Sequence, residues 1–378
     1  MKLNYFLSDI VYMFKLFKKI LLLKISEKTK FRTLPLSLAI SLTYKCNSKC
    51  KTCGIWQLNK NEKLKELTRK ELKKLLNSLN KEVLWFTYTG GEPFLRKDFS
   101  EILIYTANHN TPLVINIATN GLSKTIYETL RTTLEQSNKK TKFIINFSLD
   151  EIESGYKFIR GINGFNIFLK NYNEVLKLKK KYSNFIIGIN ITLSKYNIGK
   201  FKKIYNYILK ELKPDSLLVE PATIRFSLKN KHMLFGAEID ETKKILRFLI
   251  KKEEHAINEL KGFPKLIRIM RLNFYFKCLA TLENERHKNY CTAGIGFSEI
   301  LPNGDVLMCG LRGGPIGNLK EFNYDFKKLW FSDSAVYKIK NFHRKNKNCI
   351  LANPNYVSSL LNFRDLLNSL KIYLFNKN

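Results

Sequence analysis

Three cysteines lie close together in the sequence, at the end of a segment with the pattern of a strand. Cys46, Cys50 and Cys53 have the spacing C-x3-C-x2-C. Thiolates select soft metal sites such as zinc, copper(I) or iron–sulfur clusters. A closed zinc site and an ordinary four-iron cluster both take four protein ligands. Three local thiolates therefore predict a [4Fe–4S] cluster with one iron left open, where chemistry can take place.

A second stretch with chemical character is Gly90-Gly91-Glu92-Pro93, which follows a segment with the composition of a buried strand at 83–89. Two glycines let the backbone approach a ligand with no Cβ in the way. Taken alone, a glycine pair before Glu-Pro is most often a turn. Its position about forty residues after the cysteine loop makes it a candidate ligand-binding turn.

Together these two stretches resemble the radical SAM enzymes, whose C-x3-C-x2-C loop follows the first strand of a (β/α)6 partial barrel. The resemblance implies that S-adenosylmethionine (SAM) chelates the open iron through its amino and carboxylate groups. It also implies that the reduced [4Fe–4S] cluster cleaves SAM to a 5′-deoxyadenosyl radical, which abstracts a hydrogen atom from the substrate. Such a reaction requires an electron donor such as flavodoxin or ferredoxin. One departure is Thr52, because the position before the last cysteine is often apolar in the family.

The resemblance assigns SAM-binding roles to further residues that follow predicted strands. The turn Gly90, Gly91 and Glu92 is expected to contact the methionyl amino group, with Glu92 supporting either the turn or the ligand. The other matching positions are Asn120 at the adenosyl pocket, Ser148 and Asp150 at the ribose hydroxyls or the carboxylate, and Arg160 at the carboxylate. A guanidinium suits that last role because it binds carboxylates bidentately. Each position also has an ordinary interpretation, namely an Asn-Gly turn, a turn cap or a surface arginine.

More cysteines occur in the C-terminal part of the chain. Cys291 precedes two alternating segments joined by Asn303-Gly304, a strong hairpin signal, and Cys309 ends the second of them. This arrangement resembles the SPASM and twitch domains, which bind auxiliary [4Fe–4S] clusters. It implies Cys291, Cys309 and Cys349 as ligands, with Cys278 as a candidate fourth. A full SPASM domain has more cysteines, so one auxiliary cluster is expected, and the alternative is a set of buried structural thiols.

Strand-like and helix-like segments alternate along most of the chain. This order predicts an α/β fold, a partial (β/α)6 TIM-like barrel followed by a small cluster-binding domain made of a β-hairpin and helices. The predicted division is an N-terminal amphipathic helical extension (1–34), the radical SAM barrel (35–235), a helical connector (236–290), a twitch- or SPASM-like domain (291–352) and a C-terminal helix (353–378).

The composition narrows the class of protein. Hydrophobic residues make up 44% of the chain and aromatic residues 13%, which fits a globular protein. The net charge of +34 would attract nucleic acid or an anionic membrane. The excess is mostly lysine spread along the whole chain, which is equally typical of the codon bias of a low-GC genome.

The thiols and the N-terminal segment bear on localisation. No secretory signal pattern is evident, and clustered thiols indicate a reducing compartment, so a cytoplasmic protein is expected. Residues 5–25 have apolar residues at helical spacing but too many lysines for a transmembrane span. Such a basic amphipathic helix is expected either to pack on the barrel or to contact an anionic membrane peripherally.

The sequence thus predicts a radical SAM enzyme that acts in the maturation of a peptide or small molecule, because SPASM and twitch modules accompany such reactions. The basic charge keeps an RNA-modifying radical SAM enzyme as an alternative, with nucleic acid as its partner. A non-catalytic iron–sulfur protein or a zinc-stabilised binding protein is the second alternative. The motifs do not specify the substrate.

Overall fold

The centre of the fold is a single sheet. Its strands are β1 (Ser37–Ser41), β2 (Trp85–Thr89), β3 (Val114–Thr119), β4 (Lys142–Ser148), β5 (Phe185–Leu193), β6 (Ser216–Pro221), β7 (Phe297–Ile300), β8 (Asp305–Leu307) and β9 (Pro315–Asn318). They lie in the order β6-β5-β4-β3-β2-β1-β7-β8-β9, and β1 to β6 are parallel. Parallel neighbours need long crossover connections, which helices supply here. The predicted α/β fold with a partial (β/α)6 barrel is confirmed.

The computed structural model describes residues 2–29, 31–59, 65–223, 237–283, 291–310, 314–345 and 350–375. Short 3₁₀ or π-helical segments occur at Pro93–Leu95, Thr106–Asn110, Ile198–Lys200, Ile208–Leu212 and Leu319–Phe322. The α-helices are α1 (Lys2–Lys28), α2 (Ile55–Leu58), α3 (Arg69–Leu79), α4 (Phe99–Tyr105), α5 (Ile126–Gln136), α6 (Glu153–Arg160), α7 (Phe165–Lys181), α8 (Phe201–Tyr207), α9 (Ala237–Asn258), α10 (Gly262–Leu282), α11 (Phe326–Phe331), α12 (Asp333–Lys345), α13 (Ala352–Leu361) and α14 (Phe363–Phe375).

The two faces of the barrel strands carry different residues. On β1, Leu38 and Ile40 belong to the main hydrophobic core, whereas Ser41 lines an interior cavity. On β3 and β4, the interior positions include Asn116 and Asn146, and the Asn146 amide donates to the Asn116 carbonyl oxygen at 2.6 Å. Buried polar groups need hydrogen-bond partners. The interior of the barrel is therefore built to receive polar groups rather than to be filled by aliphatic side chains.

The predicted C-terminal hairpin is confirmed and it extends the barrel sheet. Strands β7 and β8 pair antiparallel through the turn at Leu301–Gly304, where the amide of Gly304 donates to Leu301 O. Strand β7 also pairs parallel with β1, with Ser37 opposite Phe297. The hairpin thus joins the sheet beside the strand that leads into the cysteine loop.

Helix α10 covers the free edge of β6. Arg271 donates to Leu217 O at 2.9 Å and the Tyr275 hydroxyl accepts from Val219 N at 3.1 Å. The Arg271 guanidinium also lies 3.2 Å from the buried carboxylate of Glu253 in α9. An unpaired strand edge exposes backbone donors and acceptors, and side chains of α10 satisfy them here. Residues of α10 and α13 consequently form part of the cavity wall, on the side that the sheet leaves open.

Both ends of the chain are helical. The N-terminal segment forms α1, whose Ile20 and Leu23 are buried in a cluster with residues of α10 and α13. No helix in the described ranges is long and apolar enough to cross a membrane. Peripheral membrane contact by α1 stays a prediction. The tail expected to hold one helix forms two, α13 and α14, which are interrupted at Asn362.

Candidate active site

One cavity at the carboxyl ends of the barrel strands contains almost all the residues predicted to bind the cluster or SAM. Its volume is about 330 Å³. In α/β barrels this end of the sheet carries the catalytic loops. The predicted residues that line it are Cys46, Cys50, Cys53, Gly90, Gly91, Asn120, Ser148, Asp150 and Arg160.

The three cysteines of the loop face this cavity. Burial raises the pKa of the Cys46 thiol to about 12, and it raises that of Cys50 as well. Within the described ranges, no three His, Cys, Asp or Glu side chains converge closely enough to hold a single metal ion. A four-iron cluster takes one thiolate per iron, and three thiols that line one cavity are the donor set of a [4Fe–4S] cluster with one open iron.

The glycine turn after β2 lies directly against the cysteine loop. The amide of Gly91 donates to Thr43 O at 2.7 Å, and that of Glu92 donates to Lys45 O at 2.8 Å. A Cβ on Gly91 would lie 2.0 Å from Lys45 O, and Gly90 has a φ of +129°. Only glycine allows this approach and this backbone conformation. Because these two amides already have acceptors, what the turn can offer a ligand is its carbonyl oxygens.

The Glu92 side chain is buried behind the turn. Its carboxylate accepts from the Thr119 hydroxyl at 2.8 Å and from the amides of Asn120 and Phe94 at 2.7 and 3.2 Å. Burial raises the pKa of Glu92 to about 7, although these donors and Arg160 act to lower it. Of the two roles predicted for Glu92, the geometry supports that of bracing the turn.

Asn120 braces the cysteine loop from the end of β3. Its side-chain amide donates to Asn47 Oδ1 at 2.6 Å and to Ser48 Oγ at 3.3 Å, and it lies 3.7 Å from Cys46 Sγ. The side-chain oxygen of Asn120, Oδ1, accepts a hydrogen bond from the backbone amide of Leu122, as in a simple Asn-Gly turn. Asn120 therefore makes the expected turn and also contacts the residues around the first cysteine.

Arg160 connects the cysteine loop to β4 and β5. Its guanidinium lies 2.9 Å from Asp150 Oδ2 and donates to Cys50 Sγ at 3.6 Å. Asp150 in turn accepts from the amide of Thr192 at 2.7 Å. Arg160 is 6% exposed, so the alternative of a surface arginine is wrong. Its Nε has no hydrogen-bond partner in the described structure, which leaves a donor for a ligand.

Two residues that support the cysteine loop were not predicted. Glu66 accepts from the amide of Tyr44 at 2.6 Å and from the Thr43 hydroxyl at 2.8 Å. The Trp56 indole donates to Cys53 O at 2.9 Å. A tryptophan three residues after the last cysteine was a visible signal, because an indole N–H in a partly buried position needs an acceptor. Glu66 has no local sequence signal.

The C-terminal cysteines lie in other surroundings. Cys309 and Cys278 are buried in the main hydrophobic core, and Cys291 is half-buried against it. The six cysteines that the structure describes form no disulfide. Cys349, the remaining predicted ligand, lies outside the described residues. The auxiliary cluster therefore stays a prediction.

The cavity has features that suit an iron–sulfur cluster and SAM. It combines three thiols, the backbone of the glycine turn and the unpartnered Arg160 Nε. Deeper in the barrel, Asn190 Oδ1 and Thr87 Oγ1 are buried without a partner in the described structure. Buried polar atoms of this kind are normally satisfied by a ligand or water. The donor set and the unsatisfied atoms both fit these cofactors.

A partial α/β barrel in which a three-cysteine loop and a glycine turn meet at the strand ends defines a SAM-dependent iron–sulfur enzyme. Residues 40–208 match the model of the Radical SAM superfamily. The chain therefore carries a radical SAM domain and is a radical SAM enzyme, with SAM and a [4Fe–4S] cluster as its cofactors.

Two curated proteins are similar in sequence. PqqA peptide cyclase from Bradyrhizobium diazoefficiens is 24% identical over 284 residues, which cover 73% of this chain and 67% of the relative. Molybdenum cofactor biosynthesis protein 1 from Homo sapiens is 30% identical over 144 residues, 37% of this chain and 22% of the relative.

Two solved structures share the fold. Streptococcus suis SuiB bound to S-adenosylmethionine superposes with a TM-score of 0.60 at 18% identity, covering 88% of this chain and 73% of SuiB. The enzyme anSMEcpe with bound AdoMet and Cp18Cys peptide gives a TM-score of 0.55 at 18% identity, covering 90% of this chain and 96% of that one.

The buried Glu92 predicts a pH-dependent contribution to stability. Its pKa is about 7 in the folded chain and ordinarily 4.5, so the folded state binds this proton more tightly. The stabilisation is complete below pH 4.5 and is lost as the pH rises to about 7. Relative to Glu92→Gln, the free energy of unfolding of the wild-type chain without cofactors should fall by a few kcal/mol over this range, since one pKa unit is about 1.4 kcal/mol.

Urea unfolding at a series of pH values measures this difference. Glu101→Gln is the matched control, because that carboxylate is half-exposed. The control should run parallel to the wild type at every pH. A free energy of unfolding of the wild type that stays constant or rises with pH relative to that of Glu92→Gln contradicts the assignment.

Proposed function

We propose that the cavity residues hold the cofactors as follows, in an enzyme that modifies a peptide. Cys46, Cys50 and Cys53 ligate three irons of the [4Fe–4S] cluster, and the carbonyl oxygens of Gly90 and Gly91 accept from the amino group of SAM. The observation that carries the proposal is that the cysteine loop and the glycine turn are hydrogen-bonded to each other and line one cavity. When bound, the reduced cluster and SAM supply a 5′-deoxyadenosyl radical for hydrogen abstraction.

The remaining polar residues orient and shield the cofactors. Arg160 places a positive charge beside Cys50, which favours the thiolate that a metal requires. Its free Nε and the nearby Ser148 serve the carboxylate or ribose groups of SAM. Residues of α10 and α13, including Tyr356, cover the cavity from the side and exclude water that would quench a radical.

A peptide substrate fits the interior of the barrel. Beyond the cofactor residues the cavity continues to Asn116, Asn146 and Asn190. Each carboxamide carries two N–H donors and an oxygen acceptor, and the hydrogen bond from Asn146 to Asn116 uses only one of each, so further groups face the backbone of an extended peptide. Further support comes from the similar proteins, since one is called a peptide cyclase and another was solved with a peptide.

An auxiliary [4Fe–4S] cluster near the hairpin is part of the proposal. Cys291 precedes β7, and Cys309 follows β8 closely on the same hairpin. Two further ligands would come from Cys349 and Cys278 or from the substrate. An electron donor of the flavodoxin or ferredoxin type reduces the clusters.

The ligand roles of the three cysteines predict a loss of SAM cleavage on substitution. After anaerobic reconstitution with iron and sulfide, the wild-type chain should form 5′-deoxyadenosine from SAM and dithionite. Cys50→Ala should reduce this rate at least about 100-fold, because a metal ligand is removed. Cys278→Ala removes a thiol outside the cavity, which would at most ligate the auxiliary cluster, and it should retain SAM cleavage. Wild-type protein that forms no 5′-deoxyadenosine contradicts the proposed function.

The peptide assignment predicts hydrogen transfer from a peptide to 5′-deoxyadenosine. A short peptide encoded beside the gene, deuterated throughout, should lose mass and pass deuterium into 5′-deoxyadenosine, as mass spectrometry would show. The same peptide with scrambled sequence is the control. Two results favour the nucleic-acid alternative. One is deuterium transfer from a deuterated RNA but not from the peptide, and the other is copurification of RNA that salt releases from the protein.

The auxiliary cluster predicts the iron content. Two [4Fe–4S] clusters give about eight irons per chain, and Cys309→Ala or Cys291→Ala should lower this to about four. Replacing Cys46, Cys50 and Cys53 together by alanine should also leave about four irons per chain. An iron content of about four per wild-type chain that Cys291→Ala does not change contradicts the auxiliary site.

A further inference from the structure

The cysteine loop separates the cavity from a basic and aromatic surface. Cys46, Ser48, Cys50 and Thr52 line the cavity. The Lys51 ammonium turns the other way and lies 3.3 Å from the centroid of the Phe158 ring on α6. The wall between the proposed cluster site and this surface is therefore a single loop.

This surface is an assembled patch rather than a set of scattered side chains. The rings of Phe158 and Tyr196 meet edge to face with centroids 5.8 Å apart, and Lys195 lies 5.4 Å from the Tyr196 ring. Lys49 is exposed, and its backbone amide donates to Arg160 O at 3.0 Å, two residues after Phe158 in α6. We define the donor patch as Lys49, Lys51, Phe158, Lys195 and Tyr196.

The patch has the properties of a docking site. Phe158 is 54% exposed although it is a large apolar side chain. Lys51 lies over its ring, Lys195 lies near the neighbouring Tyr196 ring, and exposed Lys157 precedes it in α6. The nearest exposed carboxylate on α6, that of Glu153, lies 3.5 Å from Lys203 and is balanced by it. An apolar centre with a charged rim of one sign marks surfaces that bind a partner of opposite charge.

We propose that the donor patch docks an acidic one-electron carrier of the flavodoxin type, which reduces the iron–sulfur cluster through the cysteine loop. This inference rests on the proposed function, because that reaction consumes electrons. In the step, the reduced carrier is oxidised by one electron and the cluster gains that electron, while no covalent bond forms or breaks. The patch lies on the far side of the loop from the cavity, so a carrier bound there leaves the substrate site open.

The electrostatics favour a carrier over the peptide as occupant. The substrate must reach the cavity, whereas the patch residues lie on the outer side of its wall. Opposite charge steers a transient partner to its site and raises the association rate, which suits a carrier that must bind and leave in every turnover. The aromatic pair supplies the apolar contact area.

Direct binding of oxidised flavodoxin to the full-length reconstituted protein tests the proposal without turnover. The double variant Phe158→Ala with Lys195→Glu should raise the Kd for flavodoxin about tenfold at low ionic strength, since two patch contacts are lost. Raising the salt from about 50 to about 300 mM should weaken binding by the wild type more than by the variant. Lys157→Glu alone should give a smaller change in the same direction.

A matched control lies at the opposite end of the barrel. Leu209 is 45% exposed and Lys210 is exposed, both in the segment that precedes β6. Leu209→Ala with Lys210→Glu makes the same change of charge and also removes a large exposed apolar side chain, and it should leave the Kd unchanged. Equal weakening by the control variant, or no binding of flavodoxin by the wild type, overturns the proposal.

SAM cleavage with two reductants separates this inference from the proposed function. The patch variant should form 5′-deoxyadenosine at the wild-type rate with dithionite and at least about fivefold more slowly with limiting reduced flavodoxin. Wild-type protein that is inactive with dithionite refutes the proposed function instead. A patch variant that raises the KM for peptide with dithionite as reductant shows a peptide-binding surface, and the carrier assignment is then wrong.

Discussion

The active site depends on two backbone hydrogen bonds, from Gly91 to Thr43 and from Glu92 to Lys45. They join the loop after β1 to the turn after β2, so that the segment bearing the thiols and the glycine turn are held directly against each other. Lys45 O would lie 2.0 Å from a Cβ at position 91. Glycine is therefore required there by the contact between the loops, quite apart from any ligand.

These hydrogen bonds are supported by residues that do not themselves line the cavity. Glu66 holds the start of the cysteine loop, and Glu92 holds the turn against the end of β3. In each of these two residues, one carboxylate oxygen accepts two hydrogen bonds. Charge-assisted acceptors to backbone amides are stronger than neutral ones, which suits a loop that has little regular structure of its own. The cost is the burial of an ionisable group, visible in the raised pKa of Glu92.

The fold could be predicted from the sequence, and so could the set of residues that line the cavity, because both rest on local patterns. The strands come from apolar segments, and the cysteines and glycines come from spacing within a few residues. What could not be predicted are contacts between segments far apart in the chain, such as Arg160 with Cys50 or Arg271 with the edge of β6. The sequence around Arg160 was equally consistent with a surface arginine and with a residue of the site, because the exposure of a side chain is decided by packing. The separation of α13 from α14 also lacked a signal, because Asn362 does not break helical periodicity.

The C-terminal hairpin shows how the additional segment and the barrel share one architecture. Since β7 pairs with β1, Glu299 and Phe297 enter the cavity wall beside β1, and α13 reaches the cavity from the same side. Cys309 lies in the same main core as Leu38 of β1. Any shift of the hairpin would therefore also displace β1, the strand that leads into the cysteine loop. Because the sheet continues from the hairpin into β1, Cys291 and Cys309, which flank the hairpin, are held at a fixed position relative to the cavity.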